Sequence, residues 1–247
     1  MVANWKLNPS SLAEAKKVLT RGVRGISRGV SVVICPPDLF IEPLRRLSRS
    51  RNLSFGVQDV FWENSGPFTG EISPVVARSV GAEFAIVGHS ERRALGEGDG
   101  IVAKKAAAGL KTGMRVIVCV GEREHDVYGN YLPELERQIT ASLAAVSLRE
   151  LPLLIVAYEP LWAIGKGASD AMTPHEVRET VIFIRKVLHD RYGKKALSVP
   201  ILYGGSVAPE NAGRLVVEGE ANGLLVGHQS LQPEAFRNIL KAVRDAR

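Results

Sequence analysis

The sequence predicts an α/β fold, a (β/α)8 barrel of eight parallel strands surrounded by helices, as a single domain over residues 1–247. Eight short apolar runs alternate along the chain with amphipathic stretches. The runs are continuously apolar, which is typical of parallel strands covered by helices. A length of 247 residues suits eight strand–helix units.

An open, doubly wound sheet is the alternative arrangement of such units. It requires a glycine-rich fingerprint after the first strand, whereas here the first apolar run is followed by Lys6-Leu7-Asn8-Pro9. The sequence shows no linker, no low-complexity stretch and no close internal repeat. We therefore expect one barrel domain.

The eight apolar runs are the predicted strands, and they cover residues 2–5, 30–35, 53–57, 84–87, 116–120, 153–158, 200–202 and 224–226. Proline and serine precede the predicted helix 12–24, and two prolines precede the predicted helix 38–47. The predicted helix 99–111 is rich in alanine, and the predicted helix 132–148 has apolar residues spaced three to four apart. Thr173, Pro174 and Glu176 form a capping pattern for a further helix. Two more helices are expected to start near Pro209 and at Pro233.

Composition and charge exclude several classes of function. No apolar run reaches the roughly 18 residues of a membrane helix, and the first residues lack the layout of a signal peptide. The net charge is +6, but the basic residues are scattered and lack interleaved aromatics, so nucleic-acid binding is not expected. Cys35 and Cys119 lie in apolar runs, and we expect reduced thiols in a cytoplasmic protein.

The stretch around Glu159 carries the most information about function. The predicted strand 153–158 places this carboxylate at its carboxyl end, and Pro160 ends the strand because it has no N–H for the ladder. Large apolar residues and a flexible Gly-x-Gly follow. The pattern predicts a general base beside a lid; the alternative is an exposed glutamate in an ordinary connection. The predicted lid comprises Pro160, Leu161, Trp162, Ala163, Ile164, Gly165, Lys166 and Gly167.

Other polar groups follow several of the remaining strands, and barrel enzymes place their chemistry at this rim. The second and third strands are followed by no residue that looks catalytic. Lys6 supplies a positive charge, and His89 can donate a hydrogen bond to a carbonyl oxygen. The turns 204–206 and 227–228 carry glycines that let backbone N–H groups approach an anion. Together with Glu159 these groups predict proton abstraction beside a carbonyl on a small phosphorylated molecule. The histidines lack metal-ligand spacing, so neither metal nor cofactor is expected.

Six motifs in this order resemble the triosephosphate isomerase family over essentially the full chain. They are Asn4-Trp5-Lys6-Leu7-Asn8, Phe68-Thr69-Gly70-Glu71-Ile72-Ser73, Gly88-His89-Ser90-Glu91-Arg92-Arg93, Cys119-Val120-Gly121-Glu122, Tyr158-Glu159-Pro160-Leu161-Trp162-Ala163-Ile164-Gly165 and Tyr203-Gly204-Gly205-Ser206-Val207. The resemblance implies a TIM barrel that interconverts dihydroxyacetone phosphate and D-glyceraldehyde 3-phosphate, an activity of glycolysis and gluconeogenesis.

The resemblance also implies roles for individual residues. Glu159 is implied as the base and His89 as the neutral electrophile; Lys6 holds the substrate's charge beside Asn4, and Glu91 positions Lys6. The implied phosphate-binding residues are Gly165, Gly205, Ser206, Gly227 and His228. Ile164 and Leu225 are implied as an apolar clamp that desolvates the base and raises its basicity, and Tyr203 as a hydrogen-bond partner of the closed lid.

The loop 64–71 is expected to make a homodimer. Glycine and proline punctuate it, and Phe68 would be exposed on a monomer. In the family this loop enters a pocket beside the partner's active site, near the partner's Asn4 and Glu91. Its implied contact residues are Phe68, Thr69, Gly70 and Glu71.

Two positions depart from the family pattern. Lys166 stands where threonine is usual, and His228 where a second glycine is usual; positive φ at His228 would be strained. His228 keeps open an alternative activity on a four-carbon ketose phosphate. A barrel that only binds or scaffolds is the second alternative, although intact Lys6, His89 and Glu159 argue against it.

Overall fold

The chain forms a closed barrel of eight parallel strands in sequential order. The structure is a computed structural model, and it describes residues 1–23, 29–48, 50–126, 128–163, 165 and 171–246. Each of the eight predicted strands is present, with ends shifted by at most two residues. They are β1 Val2–Asn4, β2 Val32–Cys35, β3 Leu53–Val57, β4 Phe84–Val87, β5 Arg115–Val120, β6 Leu154–Tyr158, β7 Ile201–Tyr203 and β8 Gly223–Val226.

Strand pairing closes the sheet and sets which residues share the rim. β1 pairs with β8 through Val2 and Leu225, so the chain's first strand seals the barrel against its last. β5 and β6 share the longest ladder, which ends at Val120 and Tyr158. Because all strands are parallel, the residues that follow them meet at one end of the barrel.

Helices cover the outside of the barrel. In the described part of the chain they are α1 Leu12–Gly22, α2 Ile41–Arg45, α3 Pro74–Ser79, α4 Ser90–Ala94, α5 Asp99–Lys111, α6 Leu132–Ser142, α7 Pro174–Tyr192, α8 Ala212–Val217 and α9 Pro233–Asp245. The predicted capping box of α7 is present, with Thr173 and Glu176 bonded reciprocally. None of the helices described has the length and apolar character needed to cross a membrane.

Side chains on the two faces of the sheet form two separate cores. Large apolar residues between strands and helices make the outer core, which includes Leu110, Ile139 and Phe236. A smaller cluster fills the barrel interior, where Ile86, Ile117 and the two cysteines lie. Cys35 and Cys119 are both free and buried.

Two helix predictions were too long. The predicted helix 132–148 ends at Ser142, because the carbonyl groups that follow bond elsewhere: Arg191 donates to Leu143 and Ala144, and the Tyr192 hydroxyl donates to Leu143. The predicted helix 38–47 is instead a 3-10 turn at Asp38–Phe40 followed by α2. Pro43 has no N–H to bond back to residue 39, so one continuous α-helix cannot form.

Two further boundaries were misplaced. The first helix, predicted to reach residue 24, ends at Gly22 with Val23 as its C-cap, and residue 24 itself lies outside the described residues. The helix expected near Pro209 begins at Ala212, after a turn in which Asn211 Oδ1 accepts the N–H of Ala208. The turn thus satisfies its own backbone before the helix begins.

Candidate active site

The backbone that carries Glu159 is held against the end of β5. Glu159 follows β6 directly, and its N–H donates to Val120 O at 2.7 Å. Gly121 lies so close that a Cβ built on it would stand 1.9 Å from Glu159 O. Only glycine fits at this contact, so β5 fixes where the carboxylate leaves the barrel wall.

The Glu159 carboxylate is buried and surrounded by donors. His89 Nε2 lies 3.2 Å from Oε1, and the Ser90 N–H donates to Oε2 at 3.4 Å. Burial alone raises the pKa of Glu159, but His89 and hydrogen bonds from His89, the Cys119 thiol and Ser90 together hold it below its ordinary value. These donors stabilise the carboxylate in the described arrangement.

His89 is the N-cap residue of α4. Its Nδ1 accepts the backbone N–H of Glu91 at 3.2 Å. Burial lowers the pKa of His89, whereas the Glu159 carboxylate raises it above its ordinary value. Since only an unprotonated nitrogen accepts a hydrogen bond, the bond to Nδ1 favours a neutral ring with its proton on Nε2. That proton faces Glu159 and the cavity.

Lys6 adopts a strained backbone conformation beside this pair. Its φ is 54°, a left-handed value that costs a non-glycine residue on the order of 1–3 kcal/mol. Its N–H donates to Asn4 Oδ1 at 3.0 Å, and its Nζ lies 2.8 Å from Glu91 Oε1. The geometry thus joins Lys6 to both residues that the resemblance placed beside it.

A cavity of about 350 Å³ opens above these groups. The predicted catalytic and phosphate-turn residues that line it are Asn4, Lys6, His89, Glu159, Gly165, Gly205, Ser206, Leu225, Gly227 and His228. His228 begins a 3-10 turn at His228–Leu231 and is exposed. Its φ is not positive, so the strain anticipated there is absent.

Close packing explains the glycine pair after β7. A Cβ on Gly204 would lie 2.8 Å from Glu159 Cγ, and one on Gly205 would lie 2.2 Å from Tyr203 Oη. The sequence interpretation ascribed these glycines to anion binding alone. The structure adds that they make room for the base and for a buried tyrosine.

The described start of the predicted lid is anchored to β5. Leu161–Ala163 form a 3-10 turn, and the Leu161 N–H donates to Glu122 O at 3.0 Å. Trp162 Nε1 donates to Glu122 Oε1 at 2.9 Å. Ser206 Oγ donates to Ala163 O at 2.8 Å, so the lid's start also contacts a phosphate turn. Of the predicted lid and clamp, Ile164, Lys166 and Gly167 lie outside the described residues.

The loop that carries Phe68, Thr69, Gly70 and Glu71 lies apart from this cavity. Phe68 is 38% exposed and packs against Phe61 with the two rings tilted and their centroids 4.7 Å apart. Gly70 and Glu71 border a second cavity of about 280 Å³, on the other side of Asn4 and His89. The loop therefore stands clear of its own active-site cavity.

Sequence reasoning overlooked two contacts to site residues. The Cys119 thiol lies near enough to the Glu159 carboxylate to help lower its pKa, a role that the sequence analysis did not assign to it. Gln58, directly after β3, donates from Nε2 to Lys6 O at 2.8 Å. A lone glutamine after a strand carries no recognisable signal, and β3 was expected to contribute nothing. Within the described ranges, no group of three or more His, Cys, Asp or Glu side chains is arranged to hold a metal ion.

A parallel barrel with a buried carboxylate, an imidazole and a lysine at its carboxyl rim is typical of barrel isomerases that move protons by acid–base catalysis. The family model described as Triosephosphate isomerase matches residues 1–243. The chain belongs to the triosephosphate isomerase family and is an aldose–ketose isomerase, as the sequence predicted.

Individual relatives agree with this assignment. The chain is 39% identical to the triosephosphate isomerase of Endomicrobium trichonymphae over 248 residues, 98% of this chain and 97% of the relative. It is 39% identical to that of Moorella thermoacetica over 245 residues, 97% and 96% of the two chains. The crystal structure of triosephosphate isomerase from Bartonella henselae matches with a TM-score of 0.86 and 33% identity, covering 99% of this chain and 98% of that one.

Proposed function

We propose that Glu159 and His89 carry out the proton transfers that interconvert dihydroxyacetone phosphate and D-glyceraldehyde 3-phosphate. The observation that carries this proposal is their contact at 3.2 Å on the floor of the cavity. A substrate carbonyl and its neighbouring carbon, placed above this pair, would meet an acceptor for a carbon-bound proton and a donor for the oxygen. No bound cofactor takes part in this scheme.

The reaction is balanced within the substrate and the two side chains. Glu159 takes a proton from the carbon beside the carbonyl, and the C–H electron pair forms a carbon–carbon double bond. The carbonyl oxygen gains negative charge and is stabilised by the Nε2 proton of His89. Glu159 then returns the proton to the adjacent carbon, and a proton moves between the two oxygens by way of His89.

Lys6 is proposed to stabilise the negative charge of substrate and enediolate. Its ammonium group reaches the cavity and is held by Glu91 at 2.8 Å. A fixed positive charge acts strongly in a site that excludes water, because it requires no reorganisation as charge develops. Asn4, which accepts the N–H of Lys6, keeps that backbone in place.

The phosphate group is proposed to lie at the end of the cavity formed by the glycine turns. Gly165, Gly205, Ser206, Gly227 and His228 line the cavity, and Gly227 lies beside the Lys6 side chain. Backbone N–H groups in glycine turns bind anions without a charged side chain. The exposed His228 adds an imidazole at this end, and it is the residue that distinguishes the turn from the family pattern.

The lid is proposed to act together with Glu159. In the described arrangement the carboxylate contacts His89 Nε2 and the Ser90 N–H, and its pKa is lowered. Substrate binding separates base and imidazole, and Leu225 and the lid then exclude water from the carboxylate. Loss of these donors in a dry site would raise its basicity.

A homodimer formed through the loop 64–71 is the proposed assembly. The second cavity is lined by Asn4, Asp38, Glu91 and Arg92, and its 280 Å³ would accommodate the tip of a partner's loop. Three leucines are also highly exposed on this chain: Leu7 is 93% exposed, Leu39 89% and Leu95 78%. Side chains this apolar and this exposed favour a covered interface, and a symmetric pair would cover both copies at once.

We further propose that residues 1–247 form one folding unit and act in the cytoplasm. The sequential closed barrel leaves no internal boundary between strands, and β1 must pair with β8 to complete it. The two buried free thiols are compatible with a reducing compartment.

A two-substrate assay tests the proposed reaction. Specificity constants are measured for D-glyceraldehyde 3-phosphate and for a four-carbon ketose phosphate, with the native chain and with His228→Gly. We expect the triose phosphate to be strongly preferred by both. A higher specificity constant for the four-carbon substrate would replace the proposed substrate with the alternative one. No turnover of either by folded protein would contradict the proposed roles.

A further inference from the structure

The charged side chains around the active-site cavity leave it without excess positive charge. Apart from its histidines, the described lining carries one cation and one anion, Lys6 and Glu159. Lys6 is also paired with Glu91 at 2.8 Å, and the hydrogen bond to Nδ1 favours a neutral ring at His89. A phosphate dianion brings two negative charges, so a further positive group beside it would stabilise its binding.

The glycine turns offer few polar side chains to such an anion. The described lining after β7 and β8 consists of glycines and apolar residues except for Ser206, His228 and Gln229. The Ser206 hydroxyl donates to Ala163 O at 2.8 Å. Gln229 has an amide that can donate a hydrogen bond but carries no charge. His228 is therefore the described side chain of these turns that can become a cation.

The backbone beside His228 is fixed, whereas its ring is not used by the fold. The buried Ser230 donates to Gly227 O twice, through its N–H at 2.9 Å and its hydroxyl at 2.6 Å, and so closes the 3-10 turn that begins at His228. Within the described part of the chain, the exposed His228 side chain makes no hydrogen bond or ion pair. Both ring nitrogens are therefore available to a ligand there.

The charged groups near this turn come from three elements. On the cavity side is Lys6, which follows β1: a Cβ built on Gly227 would stand 3.5 Å from Lys6 Cε and 3.9 Å from its Nζ. The turn also packs on α1 and α9, whose first turns carry Glu14 and Glu234. An anion bound over the turn would thus be stabilised by the Lys6 ammonium group and the His228 imidazole together.

We propose that the His228 side chain binds the substrate phosphate and that its protonation sets the affinity of the site for dianions. This inference rests on the proposed binding of phosphate at the glycine turns. A glycine at this position would offer only its backbone N–H, so the interaction depends on the side chain. An imidazole gains its positive charge between about pH 8 and pH 5, and a charged donor binds an anion more strongly than a neutral one.

Sulfate is the probe for this proposal, because it stays a dianion over that range, whereas a phosphate ester takes up a proton near about pH 6. Its competitive inhibition constant against D-glyceraldehyde 3-phosphate is measured at pH 6 and pH 8 and at constant ionic strength. The proteins are the native chain, His228→Gln, which keeps a donor without a charge, and His228→Gly.

We expect the inhibition constant to rise between pH 6 and pH 8 by about fivefold more in the native chain than in either variant, because a hydrogen bond from a charged group is the stronger one. Any titration of His89 or Glu159 is common to all three proteins and cancels in this comparison. His175→Gln, at an exposed position in the first turn of α7, is the matched control and should keep the native pH dependence.

The outcomes separate this proposal from the function on which it rests. The same pH dependence in the native chain and in both His228 variants would overturn the role of the imidazole. Failure of sulfate to compete with the substrate in every protein would instead refute the proposed phosphate position. Absence of turnover in the folded native chain would refute the proposed reaction.

Discussion

His89 Nε2 lies 3.2 Å from Glu159 Oε1, so the proposed base and the proposed electrophile contact each other. Both side chains are buried, at 6% and 3% exposure. The contact lowers the pKa of the carboxylate and occupies the proton that the substrate oxygen would need. In the described state the two groups are therefore paired with each other.

Shortening the base tests its placement. Glu159→Asp withdraws the carboxylate by one methylene, and we expect kcat to fall about a hundredfold with little change in KM, because a shift near 1 Å misplaces the proton transfer. A coupled assay measures both constants. Circular dichroism and sedimentation show whether fold and assembly persist. Turnover within a factor of two of the native value would remove Glu159 from the role of base.

Crowding the base from the side is an independent test. A Cβ at Gly204 would lie 2.8 Å from Glu159 Cγ, so Gly204→Ala must displace that flexible side chain. We expect kcat to fall about tenfold with a stability loss of about 1–3 kcal/mol, as for moderate overpacking. Gly100→Ala is the control, since a Cβ there meets open space. A fully active, stable Gly204→Ala protein would show that Glu159 tolerates displacement.

The pH dependence of protein stability should reveal the raised pKa of Asp38. Burial, assisted by Asp59, raises the pKa of Asp38 to about 6 from an ordinary 3.8. Between these values the folded chain retains a proton that the unfolded chain has released, so this group lowers the free energy of unfolding as pH rises through that window. Asp38→Asn stays neutral and can still accept the Gln58 N–H.

We therefore expect Asp38→Asn to match the native protein at pH 4 and to be more stable at pH 7. Urea denaturation at a fixed protein concentration measures this, because dissociation of an assembly would otherwise contribute. Asp245→Asn changes an exposed carboxyl at the end of α9 and serves as control. A stability difference that is the same at both pH values would contradict the assignment.

Arginine at the loop tip tests the proposed dimer. Thr69 is exposed, and in the dimer it would enter a cavity of about 280 Å³. We expect Thr69→Arg to raise the dimer dissociation constant a hundredfold or more, which corresponds to about 2.7 kcal/mol. Sedimentation velocity over a concentration series measures it. Thr20→Arg on an exposed face of α1 should sediment as the native protein does. Unchanged assembly of both variants would place the interface elsewhere.

The local pattern of apolar residues in the sequence was sufficient to predict the barrel and the end of the barrel at which the main site residues lie. Each strand is a continuous apolar run, and parallel strands put Lys6, His89 and Glu159 at one rim whatever the loops do. Contacts between segments that are distant in the sequence could not be predicted from this pattern. Helix α6 ends because of Arg191 and Tyr192, nearly fifty residues later.

The electrostatics of the site were likewise not predictable from local pattern. The pKa of Glu159 depends on donors from the ends of β4 and β5 as well as on burial. Gln58 contacts Lys6 across 52 positions and belongs to no motif. Which carbonyl a glutamine reaches is decided by the shear and closure of the barrel rather than by its neighbours in sequence.

Because Lys6 has a strained left-handed backbone, selection for a more stable protein would act against the lysine proposed for activity. Glycine adopts that conformation without strain, so Lys6→Gly would relieve part of the cost carried at φ 54° while removing the ammonium group. Directed evolution for heat resistance alone would therefore tend to discard this lysine. Libraries built to harden the barrel should hold position 6 constant or be screened for turnover in every round.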